Sequence, residues 1–233
     1  MNADRQSQDQ VLSQTDRAYQ TLRAAIVRCE YMPGARLRVE ELAQKLSVSS
    51  SPLREALSRL SAQGLVQILE NRGFWVAPLS LDGLEDLTRV RLLIECDTLC
   101  DAIDHGRDAW ESQIVAAAHR LALAEQRWNG GGDVLDDDWS ERHRAFHMAI
   151  YSGASSALLK SMVENLFDAA ERYRRFSARY RKSRRNKNSE HQELMRVTLS
   201  RDKKRAMDLL KQHISSTQHN VIAALRASGS KAE

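Results

Sequence analysis

PGARLRVEELAQKLSVSSSPLREALSRLSAQGLV, residues 33–66, decides the fold of this chain. Two apolar-periodic runs flank a short polar link. In RVEELAQKL, Val39, Leu42, Ala43 and Leu46 recur at intervals of three and four, which places them on one face of a helix. SVSSSP is polar and short, so it reads as a turn. In PLREALSRLSAQGL, Leu53, Ala56, Leu57 and Leu60 form a second buried stripe. Pro52 suits the first helical turn, where a missing N–H loses no bond. Ser50 or Ser51 is the expected cap and Gly64 the expected stop. The stretch predicts a helix–turn–helix.

The neighbours extend the unit. TDRAYQTLRAAIVRCEYMPGARL, residues 15–37, predicts a helix capped by Thr15 or Asp16, with Tyr19, Leu22, Ile26 and Cys29 turned inward and Pro33–Gly34 ending it. In VQILENRGFWVAP, Val66 and Ile68, then Phe74 and Val76, flank ENRG, the pattern of a two-stranded hairpin. Three short helices and a hairpin make a winged helix-turn-helix. Such a unit presents the N-terminal end of its second motif helix to a major groove. Hydroxyls and helix N–H groups there bond phosphate, an arginine reads guanine, and a glycine at the wing tip permits close approach to the backbone. The candidate DNA contacts are Arg38, Ser49, Ser50, Ser51, Pro52, Arg54, Arg72 and Gly73. These side chains also suit plain capping and solvent exposure; the added wing favours double-stranded DNA as partner.

The bulk composition fits a folded, water-facing chain. Of 233 residues, 42% are hydrophobic and 28% charged, which excludes global disorder. No apolar run approaches the ~18 residues of a membrane span. The first ten residues, MNADRQSQDQ, lack the apolar core of a signal peptide, so a cytoplasmic chain with no membrane partner is expected. Net charge is +4, mild support for a polyanionic partner. Cys29, Cys96 and Cys100 form no spaced framework and read as buried thiols.

All three prolines (Pro33, Pro52 and Pro78) lie in the first third, leaving the rest free to be helical. The expected division is a tail over 1–14, the winged helix-turn-helix over 15–78 and a helical effector-binding and dimerisation domain over 79–228. Six helical runs with short links predict an antiparallel all-α bundle, so the fold class is mainly α.

ERHRAFHMAI, residues 141–150, sets His143 and His147 one helical turn apart. His191 and His213 would be ~33 Å apart in one straight helix. SRDK, residues 200–203, carries turn and capping signals midway between them. A hairpin there brings His191 level with His213, and four imidazoles can then share one cavity. Buried packing and a shared metal site both remain open on spacing alone. A zinc-protease reading fails, because His-Glu-x-x-His requires a glutamate where Arg144 stands, and a cation accepts no proton. With no nucleophile elbow or phosphate loop elsewhere, the chain is not expected to be an enzyme.

ERYRRFSARYRKSRRNK, residues 171–187, interleaves aromatics with cations. It fits a solvated basic face, a second nucleic-acid patch, or a helix with one functional side. Leu158, Met162 and Leu166 upstream predict its core face. Arg172, Tyr173 and Arg175 are the candidate effector residues, with guanidinium groups suited to carboxylates. RKSRRNK reads as a connection. Arg91 and Glu95, four apart, fit an element coupling the domains or a surface pair.

The motif at 33–66, with NRGFWV at 71–76, resembles the N-terminal domain of GntR-family bacterial transcription regulators. The resemblance implies operator contacts by Arg54, the preceding serines and the Arg72–Gly73 tip. One departure is Ser50, where many members carry arginine. RVRLLIECDTLCDAI, RAFHMAI and EHQELMRVTLSRDKKRAMDLLKQHI resemble the helical effector domain of the FadR-type branch. That branch commonly holds a divalent metal with three histidines and one acidic or amide residue. His147, His191 and His213 match the histidine positions, and His143 stands where the acidic residue belongs. The implied cofactor is zinc first, with nickel, manganese or iron as alternatives. The closest likeness is to the carbon-starvation-induced regulator subgroup, linked to dicarboxylates such as glutarate or 2-hydroxyglutarate. The expected function is a homodimeric repressor released by a small carboxylate bound near the metal. A metalloenzyme with an accessory DNA-binding domain and an architectural DNA-binding dimer are the rival readings.

Overall fold

The computed structural model describes residues 12–127, 137–178 and 188–229. The chain divides into two compact units, residues 1–78 and 79–233.

In the first unit, helices α1 (Gln14–Val27), α2 (Val39–Leu46) and α3 (Ser50–Ala62) precede strands β2 (Val66–Leu69) and β3 (Gly73–Val76). A two-residue strand, β1 (Arg36–Leu37), completes a three-stranded sheet in the order β1-β3-β2, with both pairings antiparallel. β1 escapes a periodicity reading because two residues carry no period. Leu53, Ala56, Leu57 and Leu60 are buried, as their spacing predicts, against Leu22, Ile26, Leu42, Phe74 and Val76. Gly64, at φ +70°, takes the left-handed conformation that ends α3 without steric penalty.

Several local details depart from the expectation. Ser13 caps α1, its hydroxyl accepting from the Asp16 N–H, while the Asp16 carboxylate pairs with Arg59 on α3 at 2.8 Å. α1 ends at Val27, before Pro33–Gly34, because Cys29 turns left-handed at φ +56°. Ser49 occupies the cap position of α3, displacing Ser50 and Ser51 into the helix, and makes no side-chain capping bond.

The second unit contains α4 (Leu81–His105), α5 (Asp108–Arg127), α6 (Asp137–Tyr151), α7 (Ala157–Ala178), α8 (Asn188–Leu199) and α9 (Lys203–Gly229). Its apolar core joins Leu99, Ile103, Trp110, Ile114, Leu121, Phe146, Ile150, Val197 and Leu210. Trp110 lies so close to Gly106 and Gly153 that a Cβ at either would meet its ring. The turn between α8 and α9 is held by Arg201, itself left-handed at φ +58°. Its guanidinium donates to the carbonyls of Ile103 and Gly106 and pairs with Glu111. This hairpin brings His191 and His213 together.

The buried face of α7 is not Leu158, Met162 and Leu166. Leu158 is 71% and Met162 37% exposed. Val163, Phe167, Ala170 and Arg174 turn inward instead, a stripe offset by one residue. A stripe that mixes aliphatic, aromatic and cationic residues gives a weaker periodic signal than the three leucine-like positions beside it. Among the described residues, no helix is long and apolar enough to cross a membrane.

Candidate functional site

In the first unit, the DNA-contact candidates fall at the N-terminal end of α3 and at the wing. Ser49, Ser50, Ser51 and Arg54 are exposed there, and Pro52 is half-buried in the first turn. Arg54 reaches its nearest carboxylate, Glu40, only at 3.9 Å. Arg38 occupies the N-cap position of α2 without a side-chain capping bond, and its guanidinium pairs with Glu41 at 2.7 Å. At the wing, Asn71 (φ +57°) and Gly73 (φ +81°) make the turn, and Arg72 is exposed at its tip. The Arg72 carbonyl accepts from the Trp75 indole at 3.2 Å, which ties the tip to β3.

In the second unit, α6 contributes His143 and His147, α8 His191 and α9 His213. Their exposures are 1%, 1%, 1% and 6%. One ring nitrogen from each lies within 4.8 Å of the others. Donors around one tetrahedral zinc ion lie about 3.3–3.4 Å apart, so the set would have to close by up to about 1.5 Å to share an ion. Among the described residues, both ring nitrogens of His143 and of His147, and Nε2 of His191, have no hydrogen-bond partner. Buried polar atoms are otherwise almost always bonded, so these nitrogens are available to a ligand. Burial, reinforced by the neighbouring imidazoles and by Arg174, pushes His143 and His147 well below the ordinary histidine range. Neutral imidazole is the form that binds metal. The donor set therefore fits a divalent transition ion.

The rings are held from several sides. The Trp139 indole stacks on His143, and Phe167 lies 5.5 Å from both His143 and His147. Nδ1 of His191 meets Glu125 of α5 at 3.2 Å, and Nδ1 of His213 meets Glu190 of α8 at 3.2 Å. Periodicity cannot find Glu125, because its partner lies 66 residues away. Glu190 is adjacent to one site histidine in sequence but serves the other.

The effector candidates are distributed differently. Arg172, Tyr173 and Arg175 all lie on α7. The Tyr173 hydroxyl donates to the Ser80 carbonyl, and its ring packs with Leu84 and Val221. Arg175 binds Glu171 and Asp137. The α7 cation whose charge reaches His143 and His147 is Arg174, set 4.3 Å over the Phe167 ring and paired with Glu171. Arg179 and the RKSRRNK segment lie outside the described residues. Arg91 and Glu95 are a buried pair rather than a surface one, and Tyr151 donates to Glu95 at 2.8 Å.

Residues 14–76 match the family "Bacterial regulatory proteins, gntR family", and residues 86–216 match the FCD domain. The chain is 38% identical over 207 residues to the HTH-type transcriptional regulator BphR of Paraburkholderia xenovorans strain LB400, covering 89% of this chain and 84% of that one. It is 36% identical over 200 residues to the HTH-type transcriptional repressor GlaR of Escherichia coli strain K12, covering 84% and 90%. The solved structure of Escherichia coli McbR/YncC superposes with a TM-score of 0.73 at 20% identity, covering 94% of this chain and all of that one, a likeness of fold.

Proposed function

The chain belongs to the gntR family of bacterial regulatory proteins, DNA-binding transcriptional regulators here of the FCD type, and we propose from that premise that it is a metal-dependent, carboxylate-responsive repressor. Its relatives are regulators, which favours this over the metalloenzyme alternative. The observation that carries the sensing half is the four buried imidazoles within 4.8 Å, most of their nitrogens lacking hydrogen bonds.

In this reading His143, His147, His191 and His213 hold the ion, zinc first and nickel, manganese or iron as alternatives. A bound ion supplies a positive anchor for one carboxylate oxygen. Arg172, Tyr173 and Arg175 remain the proposed effector residues, and the position of Arg174 adds it to them. A dicarboxylate such as glutarate or 2-hydroxyglutarate is the proposed effector. Arg38, Ser49, Ser50, Ser51, Pro52, Arg54, Arg72 and Gly73 contact operator DNA. A cytoplasmic homodimer is proposed, because a short palindrome needs two recognition helices at fixed separation. Release requires the effector to bind the DNA-free state more tightly than the DNA-bound state.

The test is metal analysis of the purified chain, followed by binding to DNA from its own upstream region with and without metal and dicarboxylate. One ion per chain and operator release by the dicarboxylate support the reading. A chain that takes up no ion, or DNA affinity indifferent to both additions, overturns it.

A further inference from the structure

We propose that Glu125 and Glu190 are the charge-balancing and positioning carboxylates of the four-histidine site, an inference that rests on the metal-binding reading above. An imidazole donor brings no negative charge to a metal ion. An ion among the four rings keeps its full double positive charge in a buried place, where an uncompensated charge is costly. The neighbouring cations bring no relief, since Arg174 acts on His143 and His147 and Arg91 on His147, and their partner carboxylates, Glu171 and Glu95, are engaged by them. Glu125 and Glu190 bring negative charge to the rings themselves, each 3.2 Å from an Nδ1.

The geometry also fixes direction. A carboxylate accepts, so His191 and His213 hold their ring protons on Nδ1 and present Nε2. Among the described residues, Nε2 of His191 has no hydrogen-bond partner. Each carboxylate reaches a histidine on another helix: Glu125 joins α5 to α8, and Glu190 joins α8 to α9. Among the described residues His143 and His147 have no such partner on either nitrogen, and they pack with Trp139, Phe146 and Phe167. The site thus has two oriented ligands, tied to negative charge, and two packed against aromatic rings.

The experiment compares the full chain with Glu125→Gln, Glu190→Gln and the double variant. Each protein is stripped of metal and titrated with zinc against a chromophoric chelator. Glutamine keeps the shape and an acceptor oxygen but removes the charge. Each single variant is expected to bind zinc about 10–100-fold more weakly, at unchanged stoichiometry. Long-range proton–nitrogen spectra of the metal-free chain should report Nδ1–H at His191 and His213. Glu125→Ala should lose that signature at His191, which a merely structural role would not move. Zinc affinity of the double variant within about twofold of the parent overturns the proposal, as does an Nε2–H proton at either ring. A parent chain that binds none of zinc, nickel, manganese or iron overturns the metal reading and this proposal together, whereas zinc bound equally by parent and double variant overturns this proposal alone.

Discussion

The indole of Trp139 and the imidazole of His143 are stacked, with centroids 4.6 Å apart and planes 12° from parallel. The ring beside a proposed ligand is therefore a built-in optical probe. Titrating nickel or copper into the metal-free chain should quench tryptophan emission to a one-to-one end point. Trp139→Phe should lose most of that quenching while still taking up metal. Equal quenching in Trp139→Phe would assign the signal to another indole and contradict the arrangement.

Two of the buried imidazoles set a pH dependence. His143 and His147 are held below the ordinary value of 6.5 chiefly by burial, so the unfolded chain takes up protons that the folded chain refuses. Stability is then fully present above pH ~6.5 and falls as pH drops below it. The limiting slope is about 1.4 kcal/mol per pH unit for each histidine. Urea unfolding of the metal-free chain at pH 7.5 and 5.5 checks this. Replacing both residues with glutamine should flatten the profile, and an unchanged profile would count against neutral burial of these rings.

The helix–turn–helix was legible because Leu53, Ala56, Leu57 and Leu60 repeat strictly and lie at zero exposure. The histidine cluster was legible for a related reason. Two members share a helix face, and a local turn signal relates the other two. What stayed hidden was non-local. Glu125 meets His191 across 66 residues, and Tyr151 meets Glu95 across 56. The wrong face of α7 has a different cause. Leu158 and Met162 are apolar yet exposed, while Arg174 and Glu171 are charged yet buried as a pair, so hydrophobicity pointed one residue aside.

The Arg91–Glu95–Tyr151 group should be a sensitive point for folding. Arg91 and Glu95 are both buried, and the Tyr151 hydroxyl occupies the second carboxylate oxygen. Burial, then the Glu95 charge, pushes the Tyr151 hydroxyl well above its ordinary range, so it stays protonated and donates. Glu95→Ala leaves Arg91 buried without this partner and should cost about 3–5 kcal/mol. Tyr151→Phe removes one hydrogen bond to a charged acceptor and should cost about 1.5–3 kcal/mol. Denaturant unfolding measures both. A Glu95→Ala cost below that of Tyr151→Phe would mean the ion pair does not bear the assigned load.

Arg54 should separate DNA binding from the proposed metal binding. Its side chain is 57% exposed on α3, and its 3.9 Å approach to Glu40 leaves the guanidinium available to a base or phosphate. Arg54→Ala should weaken operator binding by about 1–3 kcal/mol while metal content and melting temperature stay at parent values. The salt dependence then tells which contact was lost. A phosphate contact lowers the slope of log affinity against log salt by about one and weakens all sequences alike, whereas a base contact relaxes preference at one operator position. Operator affinity equal to that of the parent at two salt concentrations would remove Arg54 from the interface and shift the reading of sequence to the wing, where Arg72 and Gly73 stand exposed.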